Sequence, residues 1–169
     1  MPYLIAAVVL VGLLGLANLL LLIGVIRRLR KLQAAPPMMQ EGLAPGERIP
    51  DFAATTTDGE PISASFLEGS ALVGFFSPSC QPCRELLPKF IEWAERISDP
   101  VLAIVVAGPQ DDPAAYIARL AKVARVVQEE PQGPVQQVFK VSGYPTVIAT
   151  DVTGTVVFSD AAMPDAVHA

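Results

Sequence analysis

The hydrophobic pattern divides the chain into one long apolar run at the front and several short runs behind it. Residues 3–26 form 24 almost continuously apolar positions, with Asn18 as the only clearly polar side chain. At about 1.5 Å per residue, a helix of this length crosses a hydrocarbon core of about 30 Å. Four basic residues follow the run within residues 27–31, and none precedes it. This order favours a transmembrane anchor over a cleaved signal peptide, which carries its basic residues first.

The shorter runs predict a mixed sheet. Three of them lack strict alternation and are rich in Val, Ile and Phe, which is typical of strands covered on both faces. A turn ending at Gly154 joins the third run to a fourth strand, and Asp58-Gly59 is the predicted turn of a small hairpin at the start of the domain. Val126 and Val127 predict one more short strand. The predicted main strands are residues 71–76, 101–107, 145–150 and 155–158.

Helical patterns lie between these strands. Apolar residues at helical spacing from Leu86 to Ile97 predict a helix that contains Pro88. The sequence Asp111-Asp112-Pro113 predicts the start of a second helix, with Pro113 as its first helical residue, and Gly133-Pro134 opens a short third helix. Strands that alternate with helices and end in a hairpin indicate an α/β fold, with a mixed sheet flanked by helices.

The predicted organisation has four parts: a transmembrane helix at residues 3–26, a basic flank and linker at 27–46, one domain at 47–160 and a tail at 161–169. The linker is predicted from its prolines and glycines, with little apolar periodicity. Beyond the four basic residues that follow the span, the rest of the chain contains eight Lys and Arg and all 17 Asp and Glu, which gives a net charge of −9. A nucleic-acid partner is therefore not expected.

The two cysteines, Cys80 and Cys83, are the candidate catalytic residues. They stand two positions apart, directly after the strand at residues 71–76 and directly before the first helix. A thiol in the first turn of a helix lies among unpaired N–H groups at the positive end of the helix dipole, which favours its thiolate and lowers its pKa. We therefore expect Cys80 to be the nucleophile and Cys83 to resolve the mixed disulfide that Cys80 forms.

Several motifs occur in an order that resembles a known family. Pro50-Asp51-Phe52, Asp58-Gly59, Cys80-Gln-Pro-Cys83, Pro88 and Gly143-Tyr144-Pro145-Thr146 are similar to the membrane-anchored thioredoxin-fold proteins of the TlpA-like branch, and particularly to the methylamine-utilisation proteins of the MauD type. The resemblance covers about residues 43–159. It implies a thioredoxin-like fold and an enzyme, a thiol–disulfide oxidoreductase with protein disulfides or dithiols as substrates and a possible membrane electron donor. No cofactor and no metal are implied.

The resemblance also supplies a substrate-binding site. It implies that Pro145 follows a cis peptide bond beside the cysteines, and that the backbone of Tyr144 pairs with the substrate peptide. An extended peptide can join such an exposed backbone edge as an added strand. With Pro82, which lies between the cysteines, these residues are the predicted substrate-binding set.

The chain departs from the thioredoxin pattern at two positions. Gly74 stands where many thioredoxins keep a buried acid that assists proton transfer from the second cysteine, and Ser79 stands where thioredoxins place a tryptophan. Proton removal from Cys83 is therefore expected to depend on water. The uncharged pair Gln81-Pro82 favours a reductant or isomerase over a strong oxidase, which needs a heavily stabilised thiolate.

Two alternatives use the same thiolates. The protein could be a Cu(I) carrier, whereas zinc would need further ligands and the only histidine is His168 in the tail. The protein could also be an assembly factor of the MauD type, with a disulfide-rich subunit as its client. A peroxidase is not favoured, because neither cysteine lies in a Thr-x-x-Cys motif.

The side of the membrane is given differently by two arguments. Basic residues beside a span tend to remain cytoplasmic, which places the domain in the cytoplasm. The TlpA-like resemblance places it outside. The expectation is a single-pass membrane protein with an extracytoplasmic domain, and a cytoplasmic domain is the near alternative.

Overall fold

The computed structural model describes residues 42–164 and six helical residues nearer the front: Tyr3, Gly12, Leu14, Gly15, Asn18 and Leu19. By its contacts, the chain forms two compact units, Met1–Met39 and Gln40–Ala169. Most of the predicted span at 3–26, of the predicted flank and linker at 27–46, and of the tail with His168 lies outside the described residues. Among the residues described, no helix is both long and apolar enough to cross a membrane.

Within residues 42–164, the second unit contains seven strands, three α-helices and one 3-10 helix, and the predicted strands occur where the apolar runs lie. The 3-10 helix is Ala64–Leu67. The strands are β1 (Ala53–Thr55), β2 (Pro61–Ser63), β3 (Ala71–Phe76), β4 (Val101–Val106), β5 (Arg125–Glu129), β6 (Thr146–Thr150) and β7 (Val156–Asp160), and the helices are α1 (Gln81–Ala94), α2 (Ala114–Leu120) and α3 (Pro134–Val138).

The strands form two sheets. β1 and β2 pair antiparallel around the turn at Asp58-Gly59, where Gly59 has φ +83° and so adopts a conformation that favours glycine. The main sheet has the order β5-β4-β3-β6-β7. β3, β4 and β5 are parallel, whereas β6 and β7 run antiparallel to their neighbours. The predicted mixed sheet is confirmed.

Two apolar layers cover the main sheet. Every residue of β3 and β4 is buried, so these strands lack the alternation of a half-exposed strand. Alternate side chains still divide between the two faces, because successive residues of a strand point in opposite directions. Leu72 and Phe76 pack with α1 and α2, whereas Val73 and Phe75 pack with α3 and the 3-10 helix. This arrangement places the start of α1 at the end of β3.

The structure corrects two details of the predicted helices. Pro113 is the capping residue of α2 and not its first helical residue, and the Asp112 carboxylate accepts a hydrogen bond of 3.0 Å from the N–H of Ala114. α1 ends at Ala94, so Ile97 lies beyond the helix that was predicted to include it, although it still packs on the core. Both differences are shifts of a helix end, where capping geometry decides the boundary.

The domain begins before the predicted boundary at residue 47. Leu43 is only 1% exposed and belongs to the core on the α3 face of the sheet. The N–H of Gly46 donates to the carbonyl of Val156 at 2.8 Å, and the N–H of Gly42 donates to the carbonyl of Lys140 at 3.1 Å. Residues 42–46 are therefore part of the domain. The sequence pattern assigned residues 42–46 to the linker, because a single buried leucine among prolines and glycines shows no periodicity.

Candidate active site

Cys80 caps the first turn of α1. Its backbone is extended (φ −85°, ψ 119°), and its sulfur accepts a hydrogen bond of 3.2 Å from the N–H of Cys83. A side chain at this position satisfies one of the N–H groups that a helix start leaves unpaired. The sulfur thus takes the place that a serine or aspartate oxygen occupies in an ordinary cap, and it lies where the helix dipole favours negative charge.

The two cysteines are joined by a disulfide, with their Cα atoms 5.3 Å apart. Cys80 is half-buried, whereas Cys83 is 0% exposed. The N–H of Ser77 points at the Cys83 sulfur from 3.5 Å, and the hydroxyl groups of Ser77 and Ser79 are hydrogen-bonded at 3.0 Å. The two sulfur atoms are therefore within bonding distance, and only one of the two residues faces solvent.

The segment Gly143-Tyr144-Pro145 lies beside the disulfide, as the resemblance implied. The Tyr144–Pro145 peptide bond is cis, and the carbonyl oxygen of Tyr144 is 3.2 Å from the Cys80 sulfur. The hydroxyl of Thr146 donates to the carbonyl of Gly143 at 2.9 Å, which closes the loop in front of β6. The predicted residues Cys80, Tyr144 and Pro145 thus meet in space although 64 positions separate Cys80 from Tyr144.

Pro82 occupies the first turn of α1, between the cysteines, and is exposed. A proline fits there because its missing N–H is one that the helix start would leave unpaired. Ser79 is exposed as well. The exposed residues that flank Cys80 in the chain, Ser79, Gln81 and Pro82, are therefore uncharged, and Arg84 is the nearest exposed charge after them in the sequence.

Aromatic rings fill the space next to Gly74. A Cβ atom placed on Gly74 would lie 2.6 Å from Cε2 of Phe90 and 2.7 Å from Cε2 of Phe76. These two rings meet edge to face with their centroids 5.0 Å apart, and they share one apolar cluster with Cys83. No side chain fits at Gly74 without moving a ring. The apolar cluster of Phe76, Phe90 and Cys83 therefore occupies the place where many thioredoxins carry an acid.

Sequence reasoning missed a polar cluster that bonds to Tyr144. The side chain of Gln136 is 1% exposed, and its amide donates to the Glu129 carboxylate at 3.0 Å and to the Glu130 carbonyl at 2.8 Å. Its oxygen accepts hydrogen bonds from the N–H of Gln132 at 3.2 Å and from the hydroxyl of Tyr144. Burial raises the pKa of Tyr144, and the charge of Glu129 raises it further. The only sequence signal was a polar residue on the inner side of a short helix.

Metal ligation would have few ligands to draw on. Within residues 42–164 and the six described helical residues, no group of three or more His, Cys, Asp and Glu side chains is placed to hold a metal ion. In this part of the chain, a Cu(I) site would have to be built from the two sulfur atoms of Cys80 and Cys83.

Comparison with known proteins places the chain in a family. Residues 45–159 match the AhpC/TSA family. No curated protein is significantly similar in sequence. The match includes β1 to β6, all but the last residue of β7, both cysteines and the cis proline.

Solved structures show the same fold. A protein from Neisseria meningitidis described as a thioredoxin has a TM-score of 0.57 and 25% identity, over 69% of this chain and 81% of that one. A thiol:disulfide interchange protein of the thioredoxin family from Chlorobium tepidum has a TM-score of 0.55 and 25% identity, over 70% and 87%. A thio-disulfide isomerase from Thermus thermophilus has a TM-score of 0.53 and 24% identity, over 72% and 89%.

These findings confirm the predicted fold and, at the level of the family, the predicted class of enzyme. The TM-scores of 0.57, 0.55 and 0.53 show that the fold is shared with these solved structures. The chain belongs to the AhpC/TSA family and is a thioredoxin-like relative of the thiol–disulfide oxidoreductases.

Proposed function

We propose that this protein exchanges disulfides with protein substrates through Cys80 and Cys83. One observation carries the proposal: a half-buried sulfur at the start of a helix is bonded to a fully buried sulfur one turn further on. Attack on the disulfide of a substrate requires one accessible sulfur in the protein, and resolution requires a second sulfur within reach. The 25% identity to the interchange protein from Chlorobium tepidum supports the same chemistry.

The reaction starts from the dithiol form. The Cys80 thiolate attacks one sulfur of the substrate disulfide, so that a Cys80–substrate bond forms while the other substrate sulfur leaves as a thiolate and takes up a proton. Cys83 then loses its proton to water and attacks the Cys80 sulfur. This step forms the Cys80–Cys83 disulfide and releases the second substrate thiol. Two electrons have passed from the protein to the substrate, and a dithiol donor must return them.

The neighbouring residues support the roles of Cys80 as nucleophile and Cys83 as resolving residue. The N–H of Cys83 hydrogen-bonds the Cys80 sulfur at 3.2 Å, which stabilises negative charge on that sulfur as it attacks and as it leaves. Cys83 lies in an apolar cluster with Phe76 and Phe90, and apolar surroundings disfavour its thiolate. Its target, the Cys80 sulfur of the mixed disulfide, is within reach once that disulfide has formed. Tyr144, Pro145 and Pro82 border Cys80, and we assign them to substrate binding through the backbone edge at Tyr144.

The direction that we propose is reduction or isomerisation of substrate disulfides. A strong oxidant needs a reduced form that is greatly stabilised, often by a positive charge beside the nucleophile. The two residues between the cysteines, Gln81 and Pro82, carry no charge. Nothing in that dipeptide would hold the protein in its reduced form.

Reduction of insulin tests the proposed function. With dithiothreitol as the electron donor, the full-length protein is expected to accelerate the precipitation of insulin chains by at least about tenfold over dithiothreitol alone. The measurement is turbidity against time at several protein concentrations. An unchanged rate with a folded protein that retains its two thiols would exclude a general reductant of protein disulfides.

An assembly factor is the second candidate, and the similarity of the motifs around Cys80 and Pro145 to the MauD type favours it over a Cu(I) carrier. In that case the same exchange chemistry would serve one disulfide-rich client. The uncharged exposed residues Ser79, Gln81 and Pro82 beside Cys80 are compatible with docking of a client strand against Tyr144. Turnover of the client but not of insulin would distinguish this candidate from a general reductant.

We further propose that residues 3–26 anchor the protein in a membrane with the domain on the extracytoplasmic side, where its electron donor would be a membrane protein. The supporting observations are the 24 apolar residues and the resemblance to anchored relatives, while the basic residues at 27–31 favour the opposite side. A reporter active on only one side of the membrane, fused at the carboxyl terminus, decides between the two orientations.

A further inference from the structure

The cluster around Gln136 connects three segments of the fold through one buried amide. Glu129 ends β5, and its carboxylate accepts hydrogen bonds from the N–H groups of Val135 at 2.8 Å and Gln136 at 3.2 Å. The same carboxylate accepts the side-chain amide of Gln136 at 3.0 Å. These bonds fix the rotamer of Gln136, and its oxygen is thereby aimed at the hydroxyl of Tyr144.

The position of Gly133 shows how closely this cluster is packed. A Cβ atom on Gly133 would lie 2.6 Å from Oε2 of Glu129, so any larger residue would push against the carboxylate. Buried polar groups are costly when a bond is missing, and the side-chain oxygen and nitrogen of Gln136 each have two partners. The side-chain amide of Gln136 is therefore held in one position on the α3 side of the sheet.

Tyr144 connects the Gln136 amide to the backbone beside the reactive sulfur. Its half-buried ring contacts the apolar clusters on both faces of the sheet, and its hydroxyl is bonded to Gln136. Its backbone carbonyl lies 3.2 Å from the Cys80 sulfur. A movement of the ring would therefore also move the carbonyl and the backbone edge beside the disulfide.

We propose that Gln136, held by Glu129, is a positioning residue that fixes Tyr144 against the Cys80 sulfur and so sets both the redox equilibrium and the binding of substrate. This inference rests on the proposed exchange function and adds residues to it that do not touch the disulfide. A carbonyl oxygen carries partial negative charge, and close to the sulfur it disfavours the thiolate. Holding it there makes the dithiol form less stable and the protein a stronger reductant.

Two variants remove the bond from its two ends. Tyr144→Phe deletes only the hydroxyl, and Gln136→Leu deletes the amide. For each, we expect the equilibrium constant with glutathione to shift towards the dithiol form by about twofold to fivefold. For a peptide disulfide, we expect KM to rise by about threefold to tenfold while kcat changes less, because the backbone edge that binds the peptide is less well fixed. For both readouts, the double variant should show no more than the larger single effect, since the two substitutions remove the same bond between Gln136 and Tyr144.

Matched controls separate positioning from a general loss of structure. Tyr116→Phe also deletes the hydroxyl of a half-buried tyrosine, but that hydroxyl is buried and has no hydrogen-bond partner among the described residues. Gln137→Leu replaces the next residue of the same helix, whose amide donates to the carbonyl of Gln132 at 2.7 Å and does not bond Tyr144. Both controls should keep the equilibrium constant and KM of the unchanged protein.

The outcomes are distinct. If Tyr144→Phe keeps the unchanged protein's equilibrium constant and KM, or if Tyr116→Phe shifts them equally, the positioning role is wrong. Should Gln136→Leu fail to fold, Tyr144→Phe alone decides the question. The glutathione equilibrium requires no substrate turnover, so a failure to reduce insulin would count against the proposed function without touching this result.

Discussion

Replacing Cys80 by serine is expected to abolish the acceleration of insulin reduction, a fall of at least about tenfold to the background of the donor alone. A serine hydroxyl is almost entirely protonated at neutral pH and cannot form the mixed disulfide through which electrons pass. Turbidity measured with equal concentrations of the Cys80→Ser and unchanged proteins gives the comparison.

This substitution leaves the start of α1 intact, which makes the result interpretable. Serine is a preferred capping residue, and its oxygen can accept the N–H of Cys83 that the sulfur accepts now. The short loop closed by the disulfide constrains little of the unfolded chain, so its loss should affect stability only slightly. Activity retained by Cys80→Ser would assign the nucleophile to another residue.

Replacing Gly74 by aspartate is expected to destabilise the domain by about 3 kcal/mol or more. The new side chain would enter the space now filled by the rings of Phe76 and Phe90, which lie less than 3 Å from a Cβ atom at this position. It would also bring a carboxylate into an apolar cluster that holds Cys83. We expect no gain in the rate of resolution, because the acid cannot lie beneath Cys83 without displacing the rings. Urea unfolding measures the loss.

Two further variants test the physical cause. Gly74→Ala adds only the Cβ atom and should cost about 1–3 kcal/mol through crowding alone. Gly108→Ala is the control, because a Cβ atom there would meet its nearest neighbour, Oδ2 of Asp111, at 3.4 Å, an ordinary contact. A Gly74→Asp protein as stable as the unchanged one would show that the apolar cluster around Cys83 can accept an acid.

Local signals were sufficient to predict most of the fold. β3 and β4 are continuous apolar runs, and the turns at Gly59 and Gly154 have φ of +83° and +73°, which glycine adopts without strain. The place of Cys80 at the start of α1 followed from a cysteine pair between a buried strand and a helical pattern. The departure at Gly74 was visible in the sequence, but its cause was not, because Phe90 approaches it from another element.

The parts that escaped prediction depend on contacts between distant segments. Leu43 is buried by strands far along the chain, and nothing near it in sequence marks it as core. The bond between Gln136 and Tyr144 depends on a rotamer that Glu129 fixes from the end of β5. A buried glutamine in a short helix looks like a surface residue until its partners are placed, so the support of the cis proline segment was not predictable from pattern alone.

Trapping the mixed disulfide tests the central claim most directly. A Cys83→Ser protein, reduced and then incubated with a disulfide-containing peptide, can attack but has no second sulfur to resolve the product. After digestion without reduction, mass spectrometry should find the peptide linked to Cys80 in stoichiometric yield, with no adduct in a Cys80→Ser protein treated in the same way. An adduct on Cys83 in the Cys80→Ser protein, together with none on Cys80 in the Cys83→Ser protein, would contradict the account.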